Sequence, residues 1–204
     1  MKRTLAVLAI ALAVATAGCA RSHATNEGTS LTIAQQWEPR SLNPALENGT
    51  SSIEWSMLVF SYLVKFDDND EMVPDLATEV PTLKNGGISA DGKTITYHIR
   101  SGVRFADGTP LTASDCAWSI EAINNPRNNV QSRFAYSEVV RADAPNATTL
   151  VLHLRRPFPP VIAVVGAPQG FPIFPKHVLA SLPDFNHAAF NTAPFGSGPY
   201  RVTN

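Results

Sequence analysis

The sequence is poor in the residues that most reaction chemistries require. It contains only two cysteines and five histidines in 204 residues, and no two histidines have the i, i+4 spacing of metal ligands on one helix face. It also lacks a glycine-rich phosphate loop and a distinct pair of carboxylates. The stretch Gly196-Ser197-Gly198 differs from a G-x-S-x-G nucleophile elbow, because Pro199 follows it directly. We therefore predict no catalytic residue, no metal site and no cofactor, and we expect the protein not to be an enzyme.

An excess of positive charge is also absent. The sequence has 16 Lys and Arg residues against 17 Asp and Glu residues, which gives a net charge of −1. A nucleic-acid partner would require a clustered basic surface, so we expect no nucleic acid to bind. The hydrophobic content of 44% is that of an ordinary globular body.

The longest apolar run lies near the N-terminus, in residues 5–17, shortly after Lys2 and Arg3. It is too short to span a bilayer as a helix, and a basic start followed by a short apolar core is typical of a secretory signal. We predict a signal peptide over residues 1–18. Export would place the rest of the chain outside the cytoplasmic membrane, facing the periplasm or the cell exterior.

Residues 16–19 (TAGC) resemble a bacterial lipobox, in which the cysteine becomes the lipidated first residue of the mature protein. This resemblance implies lipid attachment at Cys19, a two-chain membrane anchor and a flexible polar tether over residues 19–30. Thr16 stands where the motif usually has Leu, so simple cleavage without lipidation is the alternative. With Cys19 lipidated, Cys116 has no partner, and we expect no disulfide.

Residues 91–118 (DGKTITYHIRSGVRFADGTPLTASDCAW) contain the clearest structural pattern of the chain. Asp-Gly pairs at 91–92 and 107–108 predict tight turns, because glycine adopts positive φ without steric cost. Between them, residues 95–99 alternate apolar and polar side chains, which predicts a strand with one buried face.

A helix is predicted directly after this strand. Thr112 followed by Asp115 fits an N-cap hydroxyl with an acid in the first turn. Cys116, Ile120 and Ile123 then fall on one helix face. We therefore expect Cys116 to be a buried structural residue, with a reactive thiol as the alternative.

Other elements follow from local patterns. We predict a strand over residues 31–34, an amphipathic helix over 53–64 with an aromatic-rich buried face, a solvated acidic turn over 67–71, a strand over 150–154, loops and short pieces over 156–175, a short helix from His177 and a strand from Arg201. The acidic run lacks the central glycine and distal glutamate of an EF-hand, so the calcium interpretation is set aside.

Five short motifs stand in a characteristic order along the chain. They are residues 41–44 (SLNP), 74–77 (PDLA), 91–115 (DGKTITYHIRSGVRFADGTPLTASD), 175–177 (PKH) and 194–200 (PFGSGPY). Together they resemble the signature of the bacterial family 5 extracellular solute-binding proteins. The departures are mild, with Cys116 in place of an aliphatic residue and Ser197 in place of Thr. The resemblance covers nearly all of the chain after residue 30.

The resemblance implies a mixed α/β fold over residues 31–204, namely a class II periplasmic-binding-protein lobe with the family's extra small domain. Family members have two lobes that close around a ligand. The hinge crossing and the second lobe are absent from this sequence, so we expect it to be the N-terminal part of a longer protein or a truncated reading frame.

The resemblance also implies a function. Such proteins are the substrate-binding lipoproteins of ABC importers, which capture oligopeptides or similar small solutes and deliver them to the permease subunits; we expect a monomer. The alternatives are the same scaffold binding nickel chelates or oligosaccharides, and a truncated lipoprotein with a structural or signalling role. An exported hydrolase is a third alternative, which the lack of a nucleophile–base constellation disfavours.

The ligand-facing positions that the resemblance implies are loops on the inner edge of the lobe. They are Trp37, Glu38, Asn48, Gly49, Thr50, Ala167, Pro168 and Gln169. The alternative for Trp37 is a place in the core, and the alternative for Glu38 is an ordinary surface charge. Peptide-binding members hold the peptide backbone by strand-like hydrogen bonds, with roomy pockets for its side chains.

Overall fold

A computed structural model describes residues 32–47 and 49–203 of the chain. The predictions for the signal peptide, Cys19, the tether and Asn48 fall on residues outside this part. Residues 32–34 and 201–203 form no strand, so the predicted strands at 31–34 and from Arg201 are wrong for the described residues. Both stretches lack the ladder of backbone hydrogen bonds that a strand requires. Within the described ranges, no helix is long and apolar enough to cross a membrane.

The first elements are helix α1 (Thr50–Val59) and the strands β1 (Val64–Phe66) and β2 (Met72–Pro74), which pair antiparallel. The acidic run between β1 and β2 is the predicted turn, although it joins two strands rather than a helix and a strand. The carboxylate of Asp67 accepts hydrogen bonds from the N–H groups of Glu71 and Asn69, both at 2.9 Å. These bonds hold the pKa of Asp67 below its ordinary value and close the hairpin.

The buried face of α1 differs from the prediction. The helix ends at Val59, and the side chains it buries include those of three serines, whereas Met57 is 42% exposed. Each serine hydroxyl that turns inward needs a partner; the hydroxyl of Ser52 donates to Glu47 O at 3.1 Å, and that of Ser56 lies 3.0 Å from the hydroxyl of Tyr62. Local hydrogen bonding thus lets a polar face pack inward and leaves an apolar side chain outside.

The core sheet has three antiparallel strands: β3 (Thr94–His98), β4 (Val139–Asn146) and β5 (Thr149–Leu154). β5 lies in the centre, between β3 and β4. The predicted alternation is confirmed, because Ile95 and Tyr97 of β3 are buried and pair with Leu152 and Leu150 of β5. The Asp-Gly turns before and after β3 are also confirmed, with glycine φ angles of +66° and +91°.

Helix α2 (Ala113–Asn124) packs against β4 and β5. The N–H of Thr112 donates to Asp115 Oδ2 at 2.9 Å and its hydroxyl donates to the same oxygen at 3.0 Å, which confirms the predicted helix start. Cys116 is buried on the predicted face together with Ile120 and Ile123.

The remainder of the chain consists of loops and short helical pieces, as its prolines predict. The helical pieces are α3 (Val161–Val164), α4 (Lys176–Leu179) and the 3-10 turns Tyr136–Glu138 and Ala189–Asn191. Phe60, Phe174 and Phe190 pack with ring centroids 5.9, 6.1 and 6.2 Å apart. This aromatic cluster packs Phe60, the residue directly after α1, against the segments that contain Phe174 and Phe190.

Candidate ligand-binding surface

The segment that contains Trp37 and Glu38 is attached to the N-terminal half of α1. The side-chain amide of Gln35 donates to Ser51 O at 3.1 Å and to the Glu54 carboxylate at 3.3 Å. Trp37 is 73% exposed, so its alternative placement in the core is wrong. Glu38 is exposed as well. The indole ring and the carboxylate are therefore exposed, in a segment that Gln35 ties to the N-terminal half of α1.

The start of α1 is fixed by a compact set of local hydrogen bonds. The Glu47 carboxylate accepts the N–H of Gly49 at 3.0 Å, and Gly49 is the N-cap of the helix. Gly49 and Thr50 are both exposed. Gln35, two residues before Trp37, bonds Ser51 in the first turn of α1, the helix whose N-cap is Gly49. The segment with Trp37 and Glu38 is therefore tied to this end of α1, and we refer to Trp37, Glu38, Gly49 and Thr50 together as the α1 surface.

The loop over residues 166–170 lies on β1 instead. The N–H of Ala167 donates to Val64 O at 3.0 Å, and a Cβ built at Gly166 would lie only 2.6 Å from a methyl group of Val64. Ala167 is 1% exposed, so its side chain faces the core rather than solvent. Pro168 is half-buried, and Gln169 is exposed. Of the three predicted positions in this loop, Gln169 is therefore the one that offers a free side chain.

The PFGSGPY motif packs against the last turn of α1. The N–H of Gly198 donates to Val59 O at 2.9 Å, and the N–H of Tyr200 donates to Leu58 O at 3.0 Å. A Cβ at Gly198 would lie 2.5 Å from the carbonyl carbon of Val59. The glycine therefore permits a close approach of two backbones.

Tyr200 and Met57 are apolar side chains that sequence reasoning did not place at the surface. Tyr200 is exposed, and its backbone bond to Leu58 places it next to the C-terminal half of α1. The helical period of the sequence predicted that Met57 would be buried. In the structure the helix buries its serines instead, which leaves the side chain of Met57 exposed.

The PKH motif and the second Asp-Gly turn also meet. His177 Nε2 lies 2.8 Å from Asp107 Oδ2, and the N–H of Ala106 donates to Gly196 O at 2.8 Å. Partial burial opposes ionisation of Asp107, but the N–H of Thr109 and the ring of His177 outweigh it and hold the pKa of that carboxyl below its ordinary value. These hydrogen bonds join three of the sequence motifs, and none of the residues involved belongs to the α1 surface.

No group of three or more His, Cys, Asp or Glu side chains within the described residues could hold a metal ion. The α1 surface combines an indole ring, a carboxylate and exposed backbone at a helix start. Such a combination can bind an organic solute through apolar contact and a few polar groups.

Residues 71–204, more than half of the chain, match the family described as bacterial extracellular solute-binding proteins, family 5 Middle. The chain belongs to this family. It is 34% identical to Protein XP55 of Streptomyces lividans over 179 residues. This alignment covers 88% of this chain and 30% of that protein. It is also 27% identical to the periplasmic murein peptide-binding protein MppA of Escherichia coli (strain K12) over 196 residues. That alignment covers 85% of this chain and 35% of MppA.

A solved structure agrees with the family 5 assignment. The crystal structure of NikZ from Campylobacter jejuni in complex with Ni(L-His) matches with a TM-score of 0.75 and 30% identity, over 86% of this chain and 33% of that one. The match confirms the predicted fold, a mixed α/β lobe like those of class II periplasmic binding proteins. The chain spans about a third of the length of these relatives.

Proposed function

We propose that the protein is the substrate-binding lipoprotein of an ABC importer. In this role it captures oligopeptides or similar small solutes outside the cytoplasmic membrane and delivers them to the permease subunits. The proposal rests on membership of family 5. The relative MppA is named as a murein peptide-binding protein, which supports peptides as the class of solute. The lipid at Cys19 would tether the protein to the membrane through residues 19–30, and it would act as a monomer.

We place the ligand contacts of this lobe on the α1 surface, with Gln169 as a separate contact. The free indole of Trp37 would pack against an apolar side chain of the solute. Glu38 would attract an ammonium group, and the exposed backbone near Gly49 and Thr50 would supply hydrogen bonds to a peptide backbone. Asn48, between these groups in sequence, belongs to the same proposal.

A nickel chelate is the second candidate ligand. The structure of NikZ, at 30% identity, holds Ni(L-His). In such a case the solute brings ligands of its own, and the protein would recognise the chelate by shape and a few polar contacts.

Native mass spectrometry with an equimolar mixture of synthetic tri- to pentapeptides, and separately with Ni(L-His), tests the proposal. We expect peptide adducts on the native protein, lost in Trp37→Ala and retained in Phe134→Ala, which removes another exposed aromatic side chain. Adducts with Ni(L-His) alone would favour the second candidate. Adducts that Trp37→Ala leaves unchanged would contradict the α1 surface, and the absence of any adduct on a protein that carries both lobes would contradict the solute-binding role.

A further inference from the structure

The residues that lead into the α1 surface are held by a pair of buried asparagines. Asn43 Nδ2 donates to Asn191 Oδ1 at 2.9 Å, although the two residues are 148 positions apart. The N–H of Leu42 donates to Asn191 O at 2.9 Å. Asn43 is 0% exposed and Asn191 is also buried, so this side-chain bond is shielded from water.

Each asparagine uses its remaining groups to extend the contact. Asn43 Oδ1 accepts the N–H of Ala45 at 3.0 Å, which shapes the turn before α1. Asn191 Nδ2 donates to Phe185 O at 2.8 Å and to Asn186 O at 3.0 Å. The amide pair therefore links the turn at Ala45 to the loop at 185–186 through an unbroken set of hydrogen bonds.

Hydrogen bonds connect this turn to the start of α1, where predicted ligand contacts lie. The N–H of Leu46 donates to Asn43 O at 3.0 Å, and the hydroxyl of Ser52 donates to Glu47 O at 3.1 Å. Glu47 in turn accepts the N–H of Gly49, the N-cap of α1. Movement of the turn would thus move the start of the helix on which the α1 surface stands.

We infer that Asn191 is a positioning residue for the α1 surface, acting through Asn43. This inference rests on the proposed solute-binding function. Asn191 touches no predicted ligand contact, but it fixes the turn that presents them. Without it the start of α1 would populate other conformations, and the apparent affinity would fall with the fraction of molecules in the competent one. The side chain of Gln131 also holds Leu46 O, at 2.7 Å, so we expect partial rather than complete loss.

Two variants and a matched control separate positioning from general stability. Asn191→Ala removes the link from one side. Asn43→Ser removes it from the other, while its hydroxyl can still accept the N–H of Ala45 in the same kind of turn. Asn128→Ser is the control, because Asn128 is equally buried and also bonds the backbone of Phe185, at 3.0 Å, but connects it to α2.

Native mass spectrometry with the peptide mixture measures affinity, and hydrogen exchange measures protection of the amides of residues 45–47. We expect both link variants to weaken peptide binding by about tenfold, the equivalent of one buried hydrogen bond, and to speed exchange at these amides. Asn128→Ser should change neither. Equal effects in all three variants, or unchanged binding and exchange in folded Asn43→Ser, would overturn the inference. If the native protein binds no peptide, the proposed function fails, and the exchange rates still decide whether Asn191 holds the turn.

Discussion

His177 Nε2 and Asp107 Oδ2 lie 2.8 Å apart, and the imidazole ring packs 5.5 Å from the ring of Phe105. The pair fastens α4 to the turn that follows β3, while Ala106 of the same turn holds Gly196. Three sequence motifs that are far apart along the chain therefore share one contact point. Both side chains are about one-third exposed, so the pair contributes modestly to stability.

Stability should depend on the ionisation of Asp107. Its pKa is lowered in the folded chain, so its contribution is fully present above the unfolded pKa of about 3.9 and is lost as pH falls through the folded value. Asp107→Asn should lower the free energy of unfolding by about 0.5–1 kcal/mol at neutral pH and flatten its decline below about pH 4. Urea unfolding across this pH range measures the effect. Asp68→Asn, which changes an exposed carboxylate in the β1–β2 turn, is the control, and an equal loss there would contradict the assignment.

Replacement of Gly198 by alanine should be strongly destabilising. The new Cβ would meet the backbone of Val59 at 2.5 Å, and backbone atoms cannot turn aside as a flexible side chain can. We expect a loss of about 2–3 kcal/mol by chemical denaturation. Gly102→Ala is the comparison, because Gly102 has φ of +80° and open space around it, so only the backbone cost of about 1 kcal/mol applies. A smaller loss for Gly198→Ala than for Gly102→Ala would show that the two segments separate easily.

Asp115 should be more important for stability than its place in a helix suggests. Its carboxylate accepts the N–H and the hydroxyl of Thr112, and Lys176 N approaches it at 3.3 Å. Asp115 is buried, and Asp115→Ala leaves these partly buried donors without an acceptor, so we expect a loss of about 2 kcal/mol. Ser114→Ala removes the contact between the Ser114 hydroxyl and Lys176 Nζ at a partly buried position and should cost about 0.5 kcal/mol. Thermal unfolding of both variants provides the measurement.

Cys116 should be inert in the native protein. The thiol is completely buried, and burial raises its pKa, so almost no reactive thiolate is present at neutral pH. In a Cys19→Ser background, labelling of Cys116 by iodoacetamide should follow global unfolding. Cys116→Val should change the free energy of unfolding by less than about 1 kcal/mol. Rapid labelling of the folded protein would contradict the structural role.

The parts that sequence reasoning predicted correctly are those determined by neighbours in the chain. The strand at residues 95–99, the turn at Gly92 and the helix start at Thr112 all depend on side-chain alternation, glycine φ or a capping contact within a few residues. Each of these signals is local, so it survives without knowledge of the tertiary structure.

What the sequence did not reveal depends on packing and hydrogen bonds that leave no mark in the apolar repeat of a helix or strand. Met57 is exposed because serines on the opposite face of α1 find partners such as Glu47 and Tyr62. Ala167 is buried because β1 lies directly beneath its loop, which local sequence does not reveal. The link between Asn43 and Asn191 spans most of the chain, and two asparagines carry no pattern that identifies such a pair.

The backbone contact between Gly198 and Val59 has a mechanical consequence. Two main chains at this separation leave no room for one to slide or rotate against the other. The last turn of α1 and the segment over residues 196–200 must therefore travel together in any large motion of the protein. We expect the hinge of such a motion to lie outside α1 and residues 196–200. The α1 surface would then move together with this segment as one rigid unit.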